Sequence, residues 1–182
     1  FKSLKNMDNL TNSIDQVVEE NSLPHEWSKE VLAELKDLGV KNNKRDDLRK
    51  IPFVTIDGKD AKDFDDAVFC EANKDGFVLQ VAIADVAEIV EPCSSIDKEA
   101  LSRGTSIYFP KRVIPMLPEE ISNNLCSLIP NEDRNVLVCK MNFTQEGEIN
   151  SYDFSESIIN SHKRFTYNAV SYTHLTLPTN QC

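Results

Sequence analysis

Apolar and polar positions along this chain follow two different periods. Before residue 50 the apolar residues recur every three or four positions. Trp27, Val31, Leu35 and Leu38 fall on one helical face that follows Ser22-Leu23-Pro24 and that Gly39 can stop. Upstream, Ser13 and Gln16 have the spacing of a capping box ahead of Ile14, Val17 and Val18. Residues 41–50 are a run of Lys, Arg, Asn and Asp that reads as a solvated connector. From residue 51 onward the pattern changes to that of strands. Residues 51–56 predict a buried strand, and residues 67–72 and 77–84 predict a hairpin closed by Asn73-Lys74-Asp75-Gly76. Pairing Ala72 with Phe77 sets Asp66 opposite Ile83 and Phe64 opposite Asp85, which would bring Asp85 to the acidic residues before the hairpin. A second hairpin joins 136–143 to 149–159 through Thr144-Gln145-Glu146-Gly147. Ser95 can cap a short helix over 96–103 that Gly104 ends, and Pro118 with Glu119 and Glu120 opens another through Leu125. Thr166 caps a helix that begins just after it. The expected fold class is α/β of the α+β type, a mixed, largely antiparallel sheet with short helices.

Composition narrows the class. The 182 residues are 40% hydrophobic with only five glycines, which fits an ordered chain with a real core. Opening at Phe1 rather than Met points to a piece of something longer. No apolar run is long enough to span a bilayer, and the first residues lack a signal-peptide layout, so no membrane role is expected. Cys70, Cys93, Cys126, Cys139 and Cys182 are odd in number, scattered and without a CxxC pair. That argues against a disulfide framework and a zinc site, and for a reducing cytoplasm. A net charge of −10 works against a general nucleic-acid binder. Either the partner is not a polyanion, or metal ions and further parts of the protein supply the positive field. The last segment, 171–182, is threonine-rich with Pro178 and poor in helix formers, and it reads as non-native.

The densest chemistry lies between the first strand and the first hairpin. Asp57, Asp60, Asp63, Asp65 and Asp66 place five carboxylates within ten residues, flanked by apolar strands. Carboxylates next to a core need something cationic to neutralise them, and aspartate oxygens suit a hard divalent ion such as magnesium. An EF-hand loop does not fit. Starting at Asp63 puts Ala67 at position five, Val68 at six and Lys74 at twelve, and starting at Asp57 puts Lys59 at three. Asp65 and Asp66 are adjacent, so in extended chain they point to opposite faces and serve an ion differently. Two divalent ions about 3.5–4 Å apart would suit phosphodiester hydrolysis. The residues alone leave a plainer reading equally open, in which the aspartates cap turns and a strand start. Tyr108 is either core or a platform for a stacked base, and Arg103 either contacts a phosphate or sits at a helix end.

Several blocks resemble the ribonuclease II/R family catalytic domain, in its order and at its spacings. They are Ile51-Pro52-Phe53-Val54-Thr55-Ile56-Asp57 through Asp63-Phe64-Asp65-Asp66-Ala67-Val68, Val81-Ala82-Ile83-Ala84-Asp85-Val86, Arg103-Gly104-Thr105-Ser106-Ile107-Tyr108-Phe109-Pro110, Val113-Ile114-Pro115-Met116-Leu117-Pro118 and Leu125-Cys126-Ser127-Leu128. The resemblance covers about 51–170, so 1–50 becomes a helical connector, 51–170 the N-terminal part of the catalytic domain, and 171–182 a foreign tail. It implies a monomeric, processive 3′-to-5′ exoribonuclease that hydrolyses single-stranded RNA to nucleoside 5′-monophosphates with Mg2+, in two ions, or Mn2+. By the same resemblance Asp57, Asp63, Asp65 and Asp66 hold the metal, and Asp65 is also the carboxylate most critical to the chemical step. Tyr108 packs on the 3′-terminal base and Tyr167 matches a second RNA-contacting tyrosine. The rest of the family's catalytic domain, its later arginines, its cold-shock domains and its S1 domain are not in this chain. The alternative is a non-catalytic RNA-binding or scaffold relative. Retention of all four aspartates speaks against it.

Overall fold

A computed structural model of the chain describes residues 2–39, 44–110 and 112–175. The elements run α1 (Lys2–Glu20), α2 (Lys29–Glu34), β1 (Asp46–Asp47), β2 (Val54–Asp57), β3 (Asp66–Ala72), β4 (Gly76–Ala84), α3 (Val86–Ile89) and α4 (Ser95–Arg103). They continue with β5 (Ile107–Phe109), β6 (Arg112–Ile114), a π-helix (Glu120–Leu125), β7 (Asp133–Thr144), β8 (Ile149–Asn160), β9 (Lys163–Thr166) and α5 (Tyr167–Leu175). They form two compact units. One comprises Phe1–Leu38 with Val90–Glu119, the other Gly39–Ile89 with Glu120–Cys182.

In the first unit α1 is one continuous helix, so the expected capping box at Ser13 does not exist. Gln16 lies inside the helix and donates to Glu20 Oε1 one turn on (2.7 Å). Its apolar stripe, Ile14 and Val18, is buried against Ile114, with Leu10, Ile107 and Phe109 packed around it. The second helix is shorter than its periodicity predicts. Ser28 Oγ caps it by accepting from the Val31 N–H (3.3 Å), and a single 3₁₀ turn, Leu35–Asp37, replaces its last turn. At α4 the cap is Ser94, whose Oγ accepts from the Asp97 N–H (3.1 Å). Ser95, the expected cap, instead donates its backbone N–H to Glu34 Oε2 (2.8 Å). Gly104 ends the helix in the left-handed region (φ 72°), where glycine carries no Cβ penalty.

The second unit is built on a seven-stranded sheet in the order β1-β8-β7-β4-β3-β2-β9. It is largely antiparallel, and among the described residues the parallel pairs are β1–β8 and β2–β9. The expected register holds, with Ala72 opposite Phe77 and Asp66 opposite Ile83. Strand alternation is legible in β4, where Val78, Gln80, Ala82 and Ala84 are buried and Phe77 and Ile83 are exposed. The core collects Phe53, Ala67, Ala82, Val136, Val138 and Ile159, with Ile121 and Leu128. Gly76, at φ +149°, passes so close to β7 that an added Cβ would lie 2.6 Å from the Thr144 carbonyl carbon and nearer still to the Phe143 oxygen. The short helix expected after Pro118 is present through Leu125, and it is a π-helix, Glu120–Leu125. Thr166 caps α5 as predicted, its Oγ1 accepting from the Ala169 N–H (3.2 Å). The helix runs through Leu175, five residues into the segment read as foreign. Residues 176–182 of that segment and 41–43 of the charged connector lie outside the described residues. No helix among the described residues is long and apolar enough to cross a membrane.

Candidate active site

Strand β2 ends on Asp57 and β3 begins on Asp66, so the acidic stretch is a strand–loop–strand unit. What fixes the loop is an apolar anchor in its middle. Phe64 is buried (6% exposed) between the exposed Asp63 and Asp65. Burying one ring in extended chain turns its two acidic neighbours outward. The anchor's backbone is held on both sides: its N–H donates to Ser127 Oγ (3.1 Å), and its C=O accepts from the Leu128 N–H (2.8 Å). The Ser127 hydroxyl in turn donates to the Lys62 carbonyl (2.7 Å). Asp65 is held through its own C=O, which accepts from the Ala84 N–H (2.9 Å). Asp57 is fixed by parallel pairing, opposite Thr166 of β9.

The electrostatics follow from this placement. Burial first, and then the charges of Asp66 and Asp65, push the Asp57 carboxyl above its ordinary range, against the opposing pull of Arg164; Asp63 adds to the rise. Asp66 is pushed up by burial and then by Asp65, partly offset by a backbone hydrogen bond. Asp57 Oδ2 is buried and has no hydrogen-bond partner. A desolvated carboxylate oxygen without a donor, surrounded by further carboxylates, fits a hard divalent cation by charge and donor type. Among the described residues no three His, Cys, Asp or Glu side chains converge closely enough to grip an ion as they stand. What the four aspartates share is an electrostatic field, the charges of Asp66, Asp65 and Asp63 all acting on the Asp57 carboxyl.

The other expected residues divide. Asp85 follows Ala84, but its carboxylate is held by Arg45 (2.6 Å), which also reaches Glu88 (3.0 Å) with both acids nearly buried. Tyr167 opens α5 directly after Thr166, the partner of Asp57, and is 61% exposed. Tyr108 lies in the first unit on β5, opposite Val113, with 68% of its surface exposed. That exposure leaves the ring free to stack. Arg103 lies in the first unit with its side chain only 2% exposed. The guanidinium bonds Glu99 (2.7 Å) and the carbonyls of Pro24, Glu26 and Pro115, and stacks 3.6 Å over Trp27.

Arg164 escaped the sequence reading. It pairs opposite Thr55, donates to the carbonyls of Gly58 and Lys59 (2.6 Å each), and lies 4.8 Å over the Phe64 ring. Its only local signal was a cation inside a short strand ahead of Thr166.

Strand-end carboxylates on a mixed sheet, in this order and setting, define a member of a known class. Residues 45–176 match the RNB domain, and the chain belongs to that family. It is 51% identical over 157 residues to Ribonuclease R of Vibrio parahaemolyticus, covering 83% of this chain and 19% of that protein. It is 47% identical over 164 residues to Ribonuclease R of Escherichia coli, covering 87% and 20%. Among solved structures it superimposes on Mycoplasma genitalium RNase R in complex with ribose-methylated single-stranded RNA. The TM-score is 0.85 at 37% identity, covering 93% of this chain and 28% of that one. The chain thus spans about a fifth of the length of these curated relatives.

Proposed function

We propose that this chain carries the metal-binding part of the active site of a 3′-to-5′ exoribonuclease acting on single-stranded RNA, working in the cytoplasm as a monomer. The observation that carries the reading is the unpartnered, buried Asp57 Oδ2 in the same field as Asp63, Asp65 and Asp66. Membership of the RNB family and the likeness to an RNA-bound Ribonuclease R support it. Asp57, Asp63 and Asp66 would hold Mg2+, with Mn2+ as a substitute. Bound there, the ions would supply charge to the scissile phosphate and lower the pKa of a water. Asp65, exposed beside Phe64, would orient the attacking water and accept its proton on a carboxylate oxygen. Tyr108 stacks on the 3′-terminal base, and Tyr167, next to the Asp57–Thr166 pair, packs against the RNA beside the metal site. Release of nucleoside 5′-monophosphates, one after another, is the outcome this arrangement serves.

The test replaces Asp65 with Asn in the complete gene product and follows shortening of 5′-labelled single-stranded RNA with Mg2+. Loss of shortening by about 10²-fold or more, with RNA binding retained, is expected. Wild-type turnover in the variant would remove Asp65 from the chemistry.

A further inference from the structure

We propose that Arg164 is the positioning residue of the acidic centre, pinning both ends of the loop between Asp57 and Asp65 without occupying a carboxylate. This rests on the metal reading above. One nitrogen, Nη2, donates at 2.6 Å to two successive carbonyls, Gly58 and Lys59, at the point where the chain leaves β2. The guanidinium also lies 4.8 Å over the ring of Phe64, the anchor at the far end of the loop. One rigid planar group therefore spans the segment whose ends present Asp57 on one side and Asp63 and Asp65 on the other. Its own backbone is fixed in the sheet opposite Thr55, two residues before Asp57. The anchor point is as rigid as the strand that carries the first ligand.

The choice of carbonyls matters. An arginine paired directly with Asp57 would satisfy that carboxylate and compete with a cation for it. Here the guanidinium bonds neutral oxygens while Asp57 Oδ2 remains without a partner and Arg164 Nε is likewise buried and unpaired. A half-buried cation held on neutral oxygens is favoured by a negative field, which the aspartates provide. Lysine would supply charge and hydrogen bonds but no planar face for Phe64. Arginine alone can grip both ends.

The experiment compares Arg164→Met and Arg164→Lys with the wild-type chain by Mn2+ titration, read by electron paramagnetic resonance, and by amide exchange. By Coulomb's law alone, deleting a positive charge beside a cation site tightens binding. A positioning residue gives the opposite sign. The expected result is Mn2+ affinity weakened about 10–100-fold in Arg164→Met. Exchange of the Ala61 N–H, which bonds Gly58 O, should be accelerated while the β3–β4 ladder stays protected. Arg164→Lys should fall between the two. Unchanged or tighter Mn2+ binding with unaltered Ala61 exchange overturns the proposal. Should Arg164→Met loosen the ladder too, Arg164→Lys carries the test: weaker binding over a native ladder supports positioning, and wild-type affinity overturns it. Failure of the wild-type chain to bind Mn2+ overturns the metal reading itself. The two failures are distinguishable, because the exchange comparison needs no metal.

Discussion

Replacing Ser127 with Ala isolates the polar support of the acidic loop. Ser127 is buried, with 1% of the residue exposed, and its hydroxyl makes two bonds of different worth. It accepts from the Phe64 N–H at 3.1 Å inside the core. It donates to the Lys62 carbonyl at 2.7 Å, on an exposed residue where water can take over. Removing the oxygen strands a buried N–H, which costs about 1–3 kcal/mol. Losing the second bond adds about 1 kcal/mol net. The sum is about 2–4 kcal/mol, less than the whole stability of an ordinary domain, so the second unit should stay folded. For a chain of this size, that corresponds to a fall in melting temperature of about 4–16 °C. Urea unfolding followed by β-sheet ellipticity, with amide exchange at Phe64, measures both the global and the local effect. The Phe64 N–H should exchange faster than the β4–β7 ladder in the variant. A loss below about 0.5 kcal/mol with Phe64 still protected would refute the reasoning, and would mean that a water can restore both bonds.

Two further substitutions probe the surroundings. Arg45→Met leaves Asp85 and Glu88 without their counter-ion at side-chain exposures of 9% and 3%, and should destabilise the second unit by about 3–5 kcal/mol. A double-mutant cycle with Glu88→Gln should recover part of that loss, and strict additivity of the two changes would contradict the coupling. Asp57→Asn tests the raised carboxyl. The folded chain holds this proton more tightly than the unfolded one, whose reference value is 3.8, so the residue's contribution is fully present below that pH and is lost as pH rises through the elevated folded pKa. In metal-free solution the variant should therefore gain stability over wild type from about pH 4 upward. A difference that does not change with pH would contradict it, and added Mg2+ should stabilise only the wild type.

Local chemistry is what the sequence made readable. The β3–β4 register followed from Asn73-Lys74-Asp75-Gly76 and the alternation on either side, because a tight hairpin leaves little freedom to slip. The aspartates stood out because charge between apolar strands is costly. The parallel pairing of β9 with β2 was not readable, since it joins segments more than a hundred residues apart through a strand of four. With it went Arg164, whose function depends entirely on that pairing. The surroundings of Arg103 were hidden for a related reason: a guanidinium at a helix end gives no local sign of the Trp27 ring and the three carbonyls it meets. The capping box at Ser13 failed because α1, packed along Ile14 and Val18, continues straight through it.

On the function proposed above, the strand–loop–strand from Asp57 to Asp66 is a divalent-cation site. Paramagnetic broadening of the chain's amide resonances by substoichiometric Mn2+ tests this most directly, because it maps the ion residue by residue. The prediction is selective loss of signal at residues 57–66, with Thr166 and Tyr167 across the β2–β9 pair affected next. Broadening centred elsewhere, for example on the surface carboxylates Asp47 and Asp133 that already bind Arg49, would contradict it. So would a spectrum that Mn2+ leaves unchanged.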